Sequence, residues 1–398
     1  MNPDLDKLHP YPFEKLANLK AGITPPDGLN HIPLSIGEPK HKPAQFVNKL
    51  LNNNLGLNSR YPTIKGDLGL RNAIANWLCS RFSLPQNSID PETSVIPVSG
   101  TREALFSFAQ CVVDPNTKPL VLMPNPFYQI YEGAALLAGA QAYYLNTTEK
   151  TGFLPDLHSV PAEVWARCQL IYLCSPGNPT GKIVTKATLQ TLLELADKYD
   201  FIVASDECYS EIYFDEKSPP LGLLEIAHKL GRKNFSRCIV FHSLSKRSNV
   251  PGLRSGFVAG DPTILKKYLL YRTYHGCAMP GMIQAASAGL WSDEQHVIEN
   301  RNLYRTKFDT VLNILSPYLP VKKPDASFYL WLKTPINDTE FTRELYLKQN
   351  ITVLPGSYLS RDAHGINPGT NYVRMALVSS IDDCKEAAVR ISRFVNNL

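Results

Sequence analysis

The segment Cys238-Ile239-Val240-Phe241-His242-Ser243-Leu244-Ser245-Lys246 joins an apolar run to a hydroxyl-rich loop. The apolar run predicts a buried strand, and the lysine follows shortly after its end. Such a lysine is either a solvated loop residue or an amine that forms a Schiff base, with Ser243 and Arg254 gripping an anion nearby. The loop alone is compatible with both interpretations, so the rest of the chain must distinguish them.

The bulk composition is typical of a globular protein with a large core. The chain has 398 residues, 44% of them hydrophobic and 19% charged, and its length predicts two or three domains. The net charge of +5 is scattered along the sequence, which argues against a nucleic-acid partner. The 8 cysteines form no CxxC pair and favour reduced thiols in a cytoplasmic protein. No secretory leader and no apolar run of about 20 residues is visible, so we expect no membrane association.

Short apolar runs alternate with helical patterns between about residues 95 and 290. Because these runs lack polar alternation, they predict strands buried on both faces, as in a mainly parallel sheet between helices. After about residue 290 the pattern becomes that of a smaller α+β domain. We therefore predict an α/β fold with an N-terminal arm and part of the small domain at 1–43, a large domain at 44–290 and a C-terminal small domain at 291–398.

Polar residues stand at the predicted strand ends. Gly100 and Thr101 open a helix, Asn178 lies in a rigid turn, and Asp206 follows an apolar run. Each feature also has an ordinary structural interpretation when it is taken alone. These interpretations are, in the same order, an N-cap, a simple turn and a carboxylate in a structural ion pair. In a parallel sheet, however, the carboxyl ends of the strands meet at one edge, where ligands bind. Their joint occurrence with Lys246 therefore predicts a ligand site at this edge.

The chain resembles the pyridoxal 5′-phosphate (PLP) aminotransferases of fold type I, class I/II, over nearly its full length. This resemblance implies a PLP-dependent transferase fold with a large PLP-binding domain. The matching motifs are Ser-Ile-Gly-Glu-Pro at 35–39, Arg-Tyr-Pro-x-x-x-Gly at 60–66, Ser-Gly-Thr-Arg-Glu-Ala-Leu at 99–105, Asn-Pro-Thr-Gly at 178–181, Ser-Asp-Glu-Cys-Tyr at 205–209, Ser-x-Ser-Lys with a later arginine at 243–254, and Tyr-Val-Arg at 372–374.

The resemblance also implies residue roles. Lys246 would bind PLP covalently and move the substrate proton, Asp206 would keep the ring nitrogen protonated, and Tyr209 would act with Asn178 on the ring's phenolic oxygen. Tyr128 would stack on the ring. The cofactor-binding set is completed by Gly100, Thr101, Arg102, Ser243, Ser245 and Arg254, with Tyr61 reaching in from a second subunit. For Arg102 a backbone role is expected.

Substrate binding and assembly follow from the same resemblance. Arg374 would grip the substrate α-carboxylate, helped by the Gly37 N–H and by Asn178. Because Tyr61 would belong to the neighbouring site, the expected unit is a homodimer with shared active sites. No metal ligand set is predicted.

The substrate is indicated by the run 126–140 and by the motifs at 99–105 and 123–132, which are similar to N-succinyldiaminopimelate aminotransferases. That likeness implies transfer between N-succinyl-LL-2,6-diaminopimelate and 2-oxoglutarate in lysine and diaminopimelate biosynthesis. No clear arginine occupies the position that aspartate aminotransferases use for the side-chain carboxylate, and the stretch there offers Arg272, Tyr274 and His275.

Three alternatives remain. An alanine, aromatic or aspartate aminotransferase would keep every catalytic residue and change only the pocket. A PLP-dependent C–S lyase would share the scaffold but need no amino acceptor. A transcriptional regulator would need an added DNA-binding domain, for which the N-terminal arm is too short.

Overall fold

The computed structural model describes residues 1–398, which form twelve β-strands and fourteen α-helices. The strands are β1 (Ile32–Pro33), β2 (Val95–Val98), β3 (Leu120–Asn125), β4 (Gln141–Asn146), β5 (Cys168–Cys174), β6 (Ile202–Asp206), β7 (Cys238–Ser243), β8 (Gly256–Gly260), β9 (Tyr329–Lys333), β10 (Ile351–Thr352), β11 (Leu354–Pro355) and β12 (Tyr372–Ala376). The helices are α1 (Pro12–Lys20), α2 (Phe46–Asn53), α3 (Leu68–Arg81), α4 (Thr101–Val112), α5 (Ile130–Leu137), α6 (Ala162–Arg167), α7 (Lys186–Tyr199), α8 (Leu223–Lys229), α9 (Leu244–Arg247), α10 (Pro262–His275), α11 (Gly281–Trp291), α12 (Gln295–Leu315), α13 (Asp338–Gln349) and α14 (Ile381–Asn396). None of these helices is long and apolar enough to cross a lipid bilayer.

A seven-stranded sheet forms the centre of the molecule, in the order β2-β8-β7-β6-β5-β3-β4. Only β8 runs opposite to the other strands, since it pairs antiparallel with both β2 and β7. Two separate hydrophobic clusters cover the two faces, so residues that point to either face are apolar. The prediction of an α/β fold with a mainly parallel sheet is confirmed. The carboxyl edge of the sheet, where β2, β3, β5, β6 and β7 all end, is the edge at which a ligand site was predicted.

Strand β4 escaped prediction because it lies at the edge of the sheet. Most of its six residues are partly exposed, so it lacks the continuous apolar run that marks the inner strands. Strand β6 also extends further than its apolar residues suggest. It ends at Asp206 itself, which is therefore held in the sheet register by its neighbour β7.

A smaller unit is built on the antiparallel sheet β11-β12-β9. Its core of 20 buried residues lies between this sheet and the helices α12, α13 and α14. The N-terminal arm contributes β1, which pairs in parallel with β10. The smaller unit is thus built from both the N-terminal and the C-terminal parts of the chain. The domain boundaries at 43 and 290 stay a prediction.

Candidate active site

A cavity of about 550 Å³ lies at the carboxyl edge of the large sheet. Twelve of the fourteen predicted site residues line it: Gly37, Thr101, Arg102, Tyr128, Asn178, Asp206, Tyr209, Ser243, Ser245, Lys246, Arg254 and Arg374. Gly100 lies directly against Arg254. Tyr61 is separate from the cavity, with its side chain fully exposed. The sheet therefore brings together residues that are up to 337 positions apart in the chain, from Gly37 to Arg374.

Lys246 lies in the short helix α9, just after β7 ends. Its Nζ donates a hydrogen bond of 2.5 Å to the carbonyl oxygen of Gly37, so its polar partner is neutral. Burial lowers the pKa of Lys246 to about 8. About a tenth of the amine is therefore unprotonated at pH 7, and this is the form that acts as a nucleophile or base.

Asp206 is a buried carboxylate whose hydrogen-bond partners are all uncharged. One oxygen accepts a hydrogen bond from the Tyr131 hydroxyl at 2.7 Å, and the other accepts one from the Cys208 backbone N–H at 3.2 Å. Burial raises the pKa of Asp206. A buried carboxylate without a cation is costly, so this position suits a ligand that carries a protonated nitrogen.

Gly100, Thr101 and Arg254 form an anion-binding corner. Thr101 begins α4, where the first N–H groups of the helix have no helical partner. Gly100 has φ +87°, and a Cβ atom there would overlap the Arg254 guanidinium, so only glycine fits. Arg254 donates only to the Pro251 carbonyl, at 3.0 Å, which leaves its charge unneutralised.

Ser243 plays a capping role in the same corner. Its hydroxyl accepts a hydrogen bond from the Ser245 N–H at 3.1 Å and donates a longer one, of 3.3 Å, to the Ser255 carbonyl. The hydroxyl thus holds the start of α9, the helix that carries Lys246.

Arg374 is a second cation without a carboxylate partner. Its guanidinium donates to Asn178 Oδ1 at 3.0 Å and to the Ser35 carbonyl at 2.7 Å, while its Nε has no partner although it is buried. It lies 4.5 Å from the centroid of the Tyr329 ring. An orphaned guanidinium N–H in a cavity wall suits a carboxylate ligand.

Tyr329 was not predicted from the sequence. Its hydroxyl lies 3.1 Å from the Tyr209 hydroxyl, and a side chain at Gly37 would collide with it. The sequence offers only an aromatic strand, Ser327 to Leu332, whose usual interpretation is core packing. Tyr131, the partner of Asp206, was missed for the same reason.

Arg102, for which a backbone role was expected, also brings its side chain to the cavity. Its side chain lines the cavity, donating to the Tyr128 hydroxyl at 2.8 Å and to the Tyr11 hydroxyl at 3.0 Å. Tyr11 and Phe13 come from the N-terminal arm and also line the cavity. The arm's helical pattern predicts α1 but carries no sign of where α1 docks.

The alternative residues of the stretch 271–277 do not line the cavity. Arg272 is fully buried and donates to both oxygens of Glu103, at 2.9 and 3.0 Å, so its charge is neutralised within the protein. Tyr274 is 88% exposed. Because Arg272 is paired with Glu103, its charge is not free to bind a substrate carboxylate.

The cavity is complementary to PLP in the charges it leaves unpaired. Asp206 lacks a cation and suits a pyridinium nitrogen, whereas Arg254 with the start of α4 suits a phosphate. Lys246 supplies an amine of lowered pKa in the same cavity. The residues present therefore fit the cofactor.

Known proteins match the chain over nearly its whole length. Residues 30–391 match the family described as aminotransferase class I and II. The chain is 30% identical over 395 residues to the LL-diaminopimelate aminotransferase of Nitratidesulfovibrio vulgaris strain Hildenborough, a match that covers 98% of this chain and 97% of that protein.

Solved structures of aminotransferases are also similar to this chain. A crystal structure of an aminotransferase from Neisseria meningitidis Z2491 gives a TM-score of 0.95 at 49% sequence identity and covers 99% of this chain and 100% of that one. A probable N-succinyldiaminopimelate aminotransferase from Thermus thermophilus has the same fold, with a TM-score of 0.84 at 24% identity, covering 96% of this chain and 99% of that one. The chain belongs to the class I and II aminotransferases and is a PLP-dependent enzyme that uses amino acid and 2-oxo acid substrates.

Proposed function

We propose that this aminotransferase moves an amino group between N-succinyl-LL-2,6-diaminopimelate and 2-oxoglutarate. The observation that carries the proposal is a pair of cavity-lining arginines without acidic partners, Arg374 and Arg102. Arg374 would bind the α-carboxylate, and Arg102, whose partners are two tyrosine hydroxyls, would bind a carboxylate at the far end of an extended substrate. Glutamate and 2-oxoglutarate also carry a distal carboxylate for Arg102.

Bound PLP supplies an electron sink that makes the substrate Cα–H bond acidic. In our proposal Lys246 Nζ would take the proton from the substrate Cα and hold it for the return transfer. Its lowered pKa suits both directions of transfer. Asp206 would keep the proton on the ring nitrogen, and Tyr209 would act with Asn178 on the phenolic oxygen.

The remaining site residues would position the cofactor. Tyr128 would stack on the ring, and Arg374 would fix Cα relative to Lys246 together with the Gly37 N–H. The phosphate-binding group would be Gly100, Thr101, Ser243, Ser245 and Arg254.

Unmodified LL-diaminopimelate is the second candidate substrate. The curated relative at 30% identity carries that substrate in its name, and Glu38, which also lines the cavity, would suit its distal ammonium. The succinylated form has an amide in that place and adds a carboxylate, which Arg102 favours.

Steady-state assays with the two donors separate these candidates. We expect kcat/KM to be at least tenfold higher for the succinylated donor. Arg102→Gln should raise the KM for that donor about tenfold and change the KM for alanine, which has no distal carboxylate, much less. Arg343→Gln, an exposed arginine paired with Glu344, is the control. A preference for unmodified LL-diaminopimelate would reject the succinyl assignment, and keto-acid release without 2-oxoglutarate would indicate a lyase.

We also propose a homodimer in which Tyr61 completes the site of the partner subunit. Its side chain is fully exposed and outside the cavity of its own chain. Mixing Lys246→Ala subunits with Tyr61→Ala subunits tests this arrangement. Shared sites predict that the hybrid regains activity, since one of its two sites then has both residues intact. Mixtures that remain as inactive as the separate variants would contradict it.

A further inference from the structure

Four consecutive residues that begin with Lys246 are held by the end of α11, the turn that follows it and the start of α12. Arg247 donates to the Leu290 carbonyl at 2.6 Å and also pairs with Glu294. Ser248 Oγ lies 2.8 Å from His296 Nε2. The Lys246 carbonyl and Asn249 are both bonded by one residue of α12, Asn300.

Asn300 is 2% exposed and joins three segments through one amide. Its Nδ2 donates to the Lys246 carbonyl oxygen at 3.3 Å. Its Oδ1 accepts hydrogen bonds from His41 Nδ1 at 2.8 Å and from Asn249 Nδ2 at 3.0 Å. His41 continues the segment whose Gly37 carbonyl accepts from Lys246 Nζ, so both ends of the lysine are tied to that segment.

The hydrogen-bond partners in this network assign its proton positions when Lys307 is an ammonium. Lys307 Nζ lies 2.6 Å from His41 Nε2, and the ammonium has donors only, so Nε2 accepts and Nδ1 carries the proton. That proton faces Asn300 Oδ1, which places the amide Nδ2 toward the Lys246 carbonyl. Burial, together with the charge of Lys307, lowers the pKa of His41, in agreement with a neutral ring. Each donor in the series Lys307, His41, Asn300 thus meets an acceptor.

We propose that Asn300 is a positioning residue that fixes the peptide of Lys246 and thereby aims its amine at the cofactor carbonyl carbon. The inference rests on the proposed role of Lys246. It assigns no contact between Asn300 and substrate or cofactor, since Asn300 does not line the cavity. His41 and Lys307 act through Asn300 by holding its amide in one orientation.

The test separates covalent capture from simple binding. In capture, Lys246 Nζ bonds to the PLP aldehyde carbon, and the aldehyde oxygen leaves as water with the two amine hydrogens. Pyridoxamine phosphate fills the same site but has no aldehyde, so its affinity reports the cavity alone. Stopped-flow absorbance of cofactor-free protein mixed with PLP gives the capture rate, and titration with pyridoxamine phosphate gives the affinity.

We expect Asn300→Leu to slow capture about tenfold and leave pyridoxamine phosphate affinity within twofold of the wild type. His41→Phe should slow capture about threefold, and Asn300→Gln should restore part of the rate. Ser248→Ala, which loses a bond to the same helix but not at Lys246, should capture PLP at the wild-type rate. In turnover with glutamate, kcat should fall for Asn300→Leu with KM unchanged.

Equal capture rates in the wild type and Asn300→Leu would overturn the inference. A parallel fall in pyridoxamine phosphate affinity would overturn it too, because it would mean that the whole loop had moved. If Asn300→Leu does not fold, Asn300→Gln and His41→Phe decide by the same two measurements. Borohydride reduction and peptide mass analysis of wild-type protein test the premise separately, since a label on another lysine would reject the role of Lys246 itself.

Discussion

Asp206 and Glu211 are two carboxylates that are five residues apart and almost equally buried, at 4% and 3% exposure. Burial raises the pKa of Asp206. It acts in the same sense on Glu211, but there Arg81, Arg247 and Arg301 together lower the pKa. Glu211 accepts from Arg81 Nε at 2.6 Å, whereas Asp206 has only a tyrosine hydroxyl and a backbone N–H.

The contrast separates structural from ligand-binding charges. The charge of Glu211 is balanced by the arginines around it. One of them, Arg301, also donates two hydrogen bonds to the carboxylate of Glu216, each of 2.9 Å. The cavity, by contrast, leaves Asp206, Arg374 and Lys246 without counter-ions. Uncompensated buried charge is costly in the free protein and is retained where a ligand completes it.

The largest effect is expected for Lys246. Replacing it by alanine removes the proposed proton carrier, so turnover with glutamate should fall by at least about 10⁴-fold. PLP should still bind, through the phosphate corner. Lys229→Ala, which removes an exposed ammonium that pairs with Glu225 outside the cavity, should be fully active. Near-normal turnover in Lys246→Ala would remove that residue from the mechanism.

Stability measurements should separate the two carboxylates. Glu211→Gln leaves buried arginines unpaired and should reduce the free energy of unfolding by about 3–5 kcal/mol. Asp206→Asn replaces a carboxylate that has no cation, so the cofactor-free protein should lose no stability. Urea denaturation of both variants at pH 7 tests the contrast, and a large loss in Asp206→Asn would show that its charge is compensated in the free protein.

Arg374→Gln should raise the KM for amino acid substrates about 100-fold, because a buried charged pair with the α-carboxylate is lost. Its matched control is Arg305→Gln, since Arg305 pairs with Glu216 outside the cavity. An unchanged KM would mean that another group binds the α-carboxylate. The pre-steady-state reaction with glutamate measures this effect without interference from product release.

The smallest expected effect concerns pH. The pKa of Lys246 in the folded protein, about 8, is below its unfolded value, so the folded state binds fewer protons between the two values. The stability of the cofactor-free wild type should therefore rise with pH across that window. Lys246→Met should be more stable by on the order of 2 kcal/mol at pH 7, and the difference should shrink above pH 8. A constant difference would contradict the lowered pKa.

The sequence predicts the site well where chemistry follows a strand. Asp206, Asn178 and Lys246 each come at or just after an apolar run, and the geometry of a parallel sheet then brings them together. The sequence does not show whether a buried carboxylate is paired with a cation. Glu211 and Asp206 both follow the same apolar strand, and only the folded positions of Arg81 and Arg301 distinguish them.

Three residues from distant segments, Tyr11, Tyr329 and Asn300, were not predicted. Tyr11 belongs to a helix whose pattern predicts its own existence but not its docking position. Tyr329 and Asn300 lie in elements that are explained fully by core packing until their neighbours are known. The direction of β8 was likewise hidden, since a buried strand has the same apolar composition in either orientation.

The helix that carries Asn300 also has mechanical consequences. Its 21 residues give it a length of about 30 Å, and its far end packs in the core of the smaller unit against α14. If the helix pivots near its first turn, a tilt of about 5° moves the far end by roughly 3 Å but Asn300 by less than about 1 Å. A displacement of the smaller unit would therefore move the peptide of Lys246 several times less than it moves the far end of α12.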